Sequence, residues 1–280
     1  MDMKGFLDPA HCDLGINRQA LQAWTTMLGT GYRDLPYHNI IHAVDVTATV
    51  AMLMWTAGLA EMCKLDDEHR FALPIAAAMH DVEHPGTNNP FQVATRSRFA
   101  IRYNDKAVLE SHHVAAGYAL MQQEGLNFLE DVQESSYKSI RSCVVQTILA
   151  TDMASHFQKL GDLKTRKNKD DFANFENSDD QMLMMCLALH AADISNPTKP
   201  IGTYVLWTER VMSEFFRQGD LEKDKGLPVS MLMDRNTTNI AKAQKGFIEV
   251  LVGPKITISI IQNVFQILFF KKHLASNPNR

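Results

Sequence analysis

The chain is 280 residues long, 45% hydrophobic, with a formal net charge of −4. That length suits one large core or two modest domains, and the slightly acidic balance supplies no basic face for nucleic acid. Four scattered cysteines, Cys12, Cys63, Cys143 and Cys186, form no CxxC pair, which predicts free thiols in a reducing compartment. No N-terminal stretch reads as a signal peptide. The most apolar run, ITISIIQNVFQILFF at 256–270, carries Gln262, Asn263 and Gln266 and is shorter than the ~20 residues of a membrane span. It reads as a packed terminal helix, with membrane-interface contact as the lesser alternative, and the chain is expected to be cytoplasmic with no membrane span.

The predicted elements are helices. Asn17 caps a helix carrying Leu21, Trp24 and Leu28 at three- and four-residue spacing, and Gly29 and Gly31 loosen its end before Pro36. A second helix runs from about His42 to Gly58. Asp66 caps a third that leads into HDVEHPG at 80–86, with Pro74 removing one internal hydrogen bond. Asn89 followed by Pro90 reads as a cap and a first-turn proline. KAVLESHHVAAGYALMQQEG is amphipathic and terminated by Gly125, and SSYKSIRSCVVQTILATDMASHFQKL reads as one long helix with Ile140, Val144 and Ile148 on a face. The charged stretch 161–180 is expected to be a mobile surface loop. Asp179 then caps a helix ending at Asp193. After the turn Ser195-Asn196-Pro197, a helix aligns Tyr204, Trp207, Val211 and Phe215 and stops at Gly219. Further on, Gln244 and Phe247 are three apart on one face. No alternating strand pattern and no internal repeat occurs, so the fold class is all-α.

Chemistry concentrates in three of these segments. His80 and His84 are four residues apart and share a face if their helix continues through Asp81, whose two carboxylate oxygens can bridge two cations. His38 and His42 repeat the spacing, with Asp45 a turn beyond, and Asp193 ends a third apolar run. Facing helices that each offer His or Asp near an end are how helical proteins assemble binuclear centres. Imidazole suits zinc, and carboxylate with water suits magnesium or manganese. Spacing makes His38 a ligand as readily as His42 and does not separate His84 from the ligands. Glu110 and His113 share a helix face, where the carboxylate could orient an imidazole or simply form an exposed ion pair.

In order, the motifs YHN..HA.DV, HD..HPG, Leu-Glu-x-x-His, HAADISNP and Gln-x-Gly-Phe resemble the catalytic domain of the class I 3′,5′-cyclic nucleotide phosphodiesterases, over residues 37 to about 250. The resemblance implies a compact multi-helix, HD-type catalytic domain with a binuclear metal site that uses Zn2+ and Mg2+, with Mn2+ an alternative at the second position. It implies hydrolysis of a cyclic nucleotide to the 5′-monophosphate by a metal-bridging hydroxide, with His38 as the acid that protonates the 3′ oxygen. His42, His80, Asp81 and Asp193 become the direct ligands. His84, Glu110 and His113 then surround the metal-bound waters. Tyr37, Met153, Asn196, Val211, Gln244 and Phe247 fall at the nucleotide pocket, with Gln244 engaging the purine edge and Phe247 and Val211 clamping the ring. Asn196 is similar to the cAMP-preferring branches, so cAMP is favoured and cGMP left open, as is a homodimer.

Two features depart from the family pattern. Ser111 stands where the family usually has asparagine. Only 36 residues precede Tyr37, and the chain diverges past Pro254, so a single catalytic domain over 1–280, trimmed at both ends, is one reading. Two other functions share parts of the pattern. One is an HD-type phosphohydrolase acting on other nucleotides, which would not need Gln244 with Phe247; the other is a non-catalytic cyclic nucleotide sensor, which need not keep His38 and all four ligands.

Overall fold

The computed structural model describes residues 14–169, 171 and 175–253. The described residues form twelve α-helices and no strand: α1 (Arg18–Gly31), α2 (Ile40–Ala51), α3 (Leu59–Met62), α4 (Asp67–Met79), α5 (Asn89–Ala94), α6 (Arg98–Tyr103), α7 (Val108–Leu120), α8 (Glu134–Leu149), α9 (His156–Lys167), α10 (Ser178–Asp193), α11 (Ile201–Asp224) and α12 (Ile240–Phe247).

Helix α4 sits at the centre. Phe71 to Ala77 and Met79 are all buried, the all-round apolar surface of a helix enclosed by others, and it packs against α8, α2, α10 and α7. Its one proline, Pro74, is accommodated without ending the helix. Trp24 of α1 is fully buried, meets Phe128 edge-on with ring centres 5.0 Å apart, and donates its indole N–H to the Gly117 carbonyl of α7 at 3.1 Å. The same core takes in most buried side chains of α8 and α10. A smaller cluster of Phe99, Ala100, Val108 and Leu109 joins α6 to α7.

Asn17 caps α1 by accepting from Ala20 N–H at 3.0 Å, and Asp66 caps α4 through His69 N–H. Elsewhere the boundaries shift. Helix α2 begins at Ile40 because Asn39 accepts from the amides of Ile41 and His42, and it ends in a π-helical turn over Met52–Thr56. Asn88, not Asn89, caps α5, so Asn89 is left free to reach another helix. Asn177, not Asp179, caps α10. The long helix expected between residues 135 and 160 is two, broken at Ala150–Asp152, after which a 3₁₀ turn over Met153–Ser155 leads into α9. The stretch expected as a loop from 161 is helical through Lys167, because Leu160 and Leu163 are buried. Helix α7 ends at Leu120, with Gly125 (φ +75°) in the turns beyond it.

Two glycines act by close approach. Gly29 and Gly31 do not loosen α1, which runs through both, and a Cβ on Gly31 would come within 2.9 Å of Val82 Cγ2. Gly219 does not stop α11, which continues to Asp224; a Cβ there would lie 1.9 Å from the Met233 carbonyl oxygen. The apolar run at 256–270 and Cys12 lie outside the described residues, and Cys63, Cys143 and Cys186 are buried free thiols. No described helix is long and apolar enough to cross a membrane.

Candidate metal centre

Three helix termini meet at one point: the start of α2 with His42, the turn after α4 with His80 and Asp81, and the end of α10 with Asp193. His42 Nε2 lies 3.0 Å from Asp193 Oδ1 and 3.4 Å from Asp81 Oδ2. His80 Nε2 lies 3.1 Å from Asp81 Oδ2 and 3.4 Å from Asp193 Oδ1. One ligand atom from each of the four residues falls within 4.8 Å of the others.

The shared-face argument for His80 and His84 does not hold. Helix α4 ends at Met79, and two turns follow, closed by Val82 N–H to Met79 O at 3.2 Å and His84 N–H to Asp81 O at 3.0 Å. The polypeptide therefore sends the two imidazoles in different directions. His80 faces the carboxylates. His84 stacks on His38, ring centres 3.8 Å apart and 19° between planes, and His113 lies parallel beyond it at 5.6 Å.

Protonation follows from the hydrogen bonds. His80 donates Nδ1–H to Ala77 O at 2.9 Å and turns Nε2 to the carboxylates; burial lowers its pKa, but Asp81 and Asp193 more than reverse this and raise it well above the ordinary value. His113 likewise donates Nδ1–H to Val82 O at 2.6 Å, and its Nε2 lies 3.7 Å from Asp81 Oδ1. Burial pushes Asp81 and Asp193 up, but the adjoining imidazoles outweigh it and hold both carboxyls well below the usual range. Burial brings His84 well below its ordinary pKa and His113 down to about 4, so both are neutral. Two anionic carboxylates facing the Nε2 atoms of two buried imidazoles are a donor set that fits a divalent cation. Asp81, held between the His42–His80 side and the His38–His84–His113 side, is the residue placed to reach a second one.

His38 has a different partner. Burial lowers its pKa, but Glu214 Oε1 against Nδ1 more than reverses this and raises it to about 9. Glu214 is itself buried, and its other oxygen accepts the backbone N–H groups of Tyr37 and His38 at 3.0 and 3.1 Å. The ring is thus a held, protonated donor. Sequence reasoning missed Glu214. Its signal was a carboxylate three residues after Val211 and seven after Trp207, on the buried side of a helix read only for its apolar stripe.

A cleft of about 760 Å³ opens over this centre, walled by His38, Asp81, His84, His113, Asp193 and Glu214 on one side and by Glu110, Thr151 and Met153 on another. Asn89 donates to both oxygens of Glu110, at 2.9 and 3.2 Å, and burial pushes that carboxyl up to about 7. Gln218, also missed, lines the cleft and holds Asn88 through both ends of its amide. Tyr37 is buried behind His42, rings 4.5 Å apart, and its hydroxyl accepts from Asn196 Nδ2 at 2.5 Å. Val211, Gln244 and Phe247 do not line the cleft. Helix α12 buries none of its residues, and Gln244 Oε1 accepts instead from the Tyr204 hydroxyl at 2.9 Å.

An all-helical protein with a buried centre of two histidines and two aspartates, beside a held acidic histidine, has the construction of a metal-dependent hydrolase. Residues 37–268 match the family model for 3′5′-cyclic nucleotide phosphodiesterase, and the chain belongs to that family. It is 40% identical, over 91% of its length, to a Caenorhabditis elegans protein named probable 3′,5′-cyclic phosphodiesterase pde-1, of which it spans 37%. It is 41% identical, over 87% of its length, to the mouse dual specificity calcium/calmodulin-dependent 3′,5′-cyclic nucleotide phosphodiesterase 1B, of which it spans 44%. The chain therefore spans less than half of these relatives. The crystal structure of the phosphodiesterase domain of the RhoPDE fusion protein from the choanoflagellate Salpingoeca rosetta superposes with a TM-score of 0.83 at 31% identity, covering 92% of this chain and 80% of that one.

Proposed function

We propose that the chain is a single catalytic domain that hydrolyses a 3′,5′-cyclic nucleotide to the 5′-monophosphate, favouring cAMP and accepting cGMP. The observation that carries this is the convergence of His42, His80, Asp81 and Asp193 within 4.8 Å, beneath a cleft of about 760 Å³ whose wall includes His38. These four residues would hold Zn2+ at the shared position, with Mg2+ or Mn2+ reached through Asp81. A bound cation pair supplies Lewis-acid polarisation of the phosphoryl group and activation of water.

The protein's own residues do the rest. His38, protonated and fixed by Glu214, donates a proton to the departing 3′ oxygen. His84, stacked on His38 and neutral, fixes the acid's ring plane. Glu110 and His113 orient water on the Asp81 side. Tyr37 and Asn196 form one polar pair near the base, and Met153, exposed at the cleft wall, offers an apolar surface to it. Gln244, Phe247 and Val211 stand outside the cleft wall; in this reading the purine extends past that wall to the Gln244 amide, with Phe247 and Val211 assigned to the ring faces.

The dual specificity in the name of the mouse relative favours acceptance of both bases. In the same reading the protein is cytoplasmic, and a homodimer is tested by its mass in solution. The first experiment is parallel hydrolysis of cAMP and cGMP by purified chain supplied with zinc and magnesium. 5′-AMP release that a chelator stops is expected. A folded, metal-loaded chain that releases no product from either substrate sinks this reading, and binding without turnover makes the chain a sensor.

A further inference from the structure

The loop that carries Asp81 and His84 is fastened from behind, and two of the fastening groups, Glu83 and His112, have no part in the catalytic reading. Glu83, midway between His80 and Gly86, adopts a left-handed backbone with φ +61°. That conformation costs a side-chain-bearing residue on the order of 1 kcal/mol and persists only where the surroundings enforce it. Two neighbours enforce it here. Glu83 N–H donates to Gly31 O at the end of α1, at 3.2 Å. Its carboxylate accepts from His112 Nε2–H at 2.8 Å.

His112 is well placed to pull on that carboxylate. Its ring is buried, packed on Phe99 with centres 4.1 Å apart, and Phe99 belongs to the small core between α6 and α7. The next residue, His113, donates to the carbonyl of Val82. Two consecutive histidines of α7 thus grip two consecutive residues of the loop, Val82 by its main chain and Glu83 by its side chain. The gripped residues lie between Asp81, which faces both ligand groups, and His84, which stacks on the acid His38.

We propose that Glu83 and His112 are a positioning pair: their hydrogen bond holds the 80–86 loop in its left-handed turn and so sets where the Asp81 carboxylate and the His84 ring stand. Neither touches substrate. The proposal rests on the metal-centre reading above, and it makes a demand that ordinary structural packing does not. Glycine adopts φ +61° without strain. Glu83→Gly and Glu83→Ala both remove the clasp, but only Glu83→Gly relieves the backbone, so the two variants should lose function equally while Glu83→Gly loses less stability than Glu83→Ala.

The test uses the full 280-residue chain and the variants Glu83→Gly, Glu83→Ala and Glu83→Gln, each measured for zinc retention in a chelator competition, for kcat and KM on cAMP, and for thermal midpoint. Zinc retention needs no turnover. Expected for Glu83→Gly is a midpoint above that of Glu83→Ala, with kcat and zinc retention both down ~10–100-fold from the parent, as for lost groups that orient metal ligands, and KM within ~2-fold. Glu83→Ala should show the same losses with a lower midpoint. Glu83→Gln, whose amide oxygen still accepts from His112, should recover both to within ~3-fold. Parent-like kcat and zinc retention in Glu83→Gly overturns the proposal, as do losses in Glu83→Ala that Glu83→Gly does not share. A parent chain that neither holds zinc nor turns over cAMP instead overturns the catalytic reading itself.

Discussion

His38 shows how one buried carboxylate can set the chemistry of its neighbour. Glu214, with Asp81 and Asp193 beyond it, outweighs burial and raises the imidazole to about 9, so His38 is charged throughout the neutral range. Glu214→Gln keeps two hydrogen-bonding ends but removes the charge, and the alkaline limb of kcat/KM should move down by at least about one pH unit. An unmoved limb would show that another group donates the proton. Stability carries the same signature with a definite sign. A histidine raised from its ordinary 6.5 to about 9 contributes stability that is whole below pH 6.5 and fades as the pH climbs to about 9. The stability gap between parent and Glu214→Gln, read from urea midpoints, should shrink across that window. His38→Asn should lose turnover yet keep its metal; metal loss in elemental analysis would make His38 a ligand. Asp193→Ala should lower both turnover and zinc content by more than ~100-fold, and normal turnover with full zinc would remove Asp193 from the centre.

Among the elements, α11 joins the cleft to the turn that follows it. Glu222, buried, accepts from Gln218 Nε2 at 2.8 Å and from both the N–H and the hydroxyl of Ser230 at 2.7 Å. Gln218 in turn holds Asn88, the cap of α5. A hydrogen-bonded line thus runs from the 226–239 segment to the cleft wall, and Gly219 lets that segment sit flat on the helix. Gly219→Ala should destabilise the fold by about 1–3 kcal/mol, the usual cost of overpacking, visible as a lower urea midpoint. An unchanged midpoint would mean that the segment moves aside without loss.

For the molecule as a whole, metal and fold should be linked. The four residues of the candidate centre come from three separate parts of the chain, residues 42, 80–81 and 193, so the unfolded chain presents no such centre and a cation that binds only the folded state would stabilise it. At a free zinc concentration 100 times its dissociation constant the gain is about 2.7 kcal/mol. The thermal midpoint should rise with zinc, fall with chelator, and lose its zinc response in Asp193→Ala. A midpoint indifferent to zinc in the parent would mean that the centre does not hold it.

Periodicity in the sequence determined the helical class, and the motifs' resemblance determined the family and the residues expected at the centre; spacing alone did not separate His38 and His84 from His42 and His80. Local chemistry suffices for these: apolar periodicity, capping asparagines and the identities of His and Asp survive in one dimension. What needed the tertiary structure is whatever depends on direction. The four-residue spacing of His80 and His84 suggested one face, yet the turns at 81–84 part them, because a left-handed Glu83 held by α1 and α7 cannot be read from spacing. Glu214 is 176 positions from His38, and a long-range pair leaves no local periodicity to find. Gly219 looked like a stop because the Met233 carbonyl that requires it lies on another segment. Short-range order was legible in the sequence; the partners that tune each group were chosen by packing.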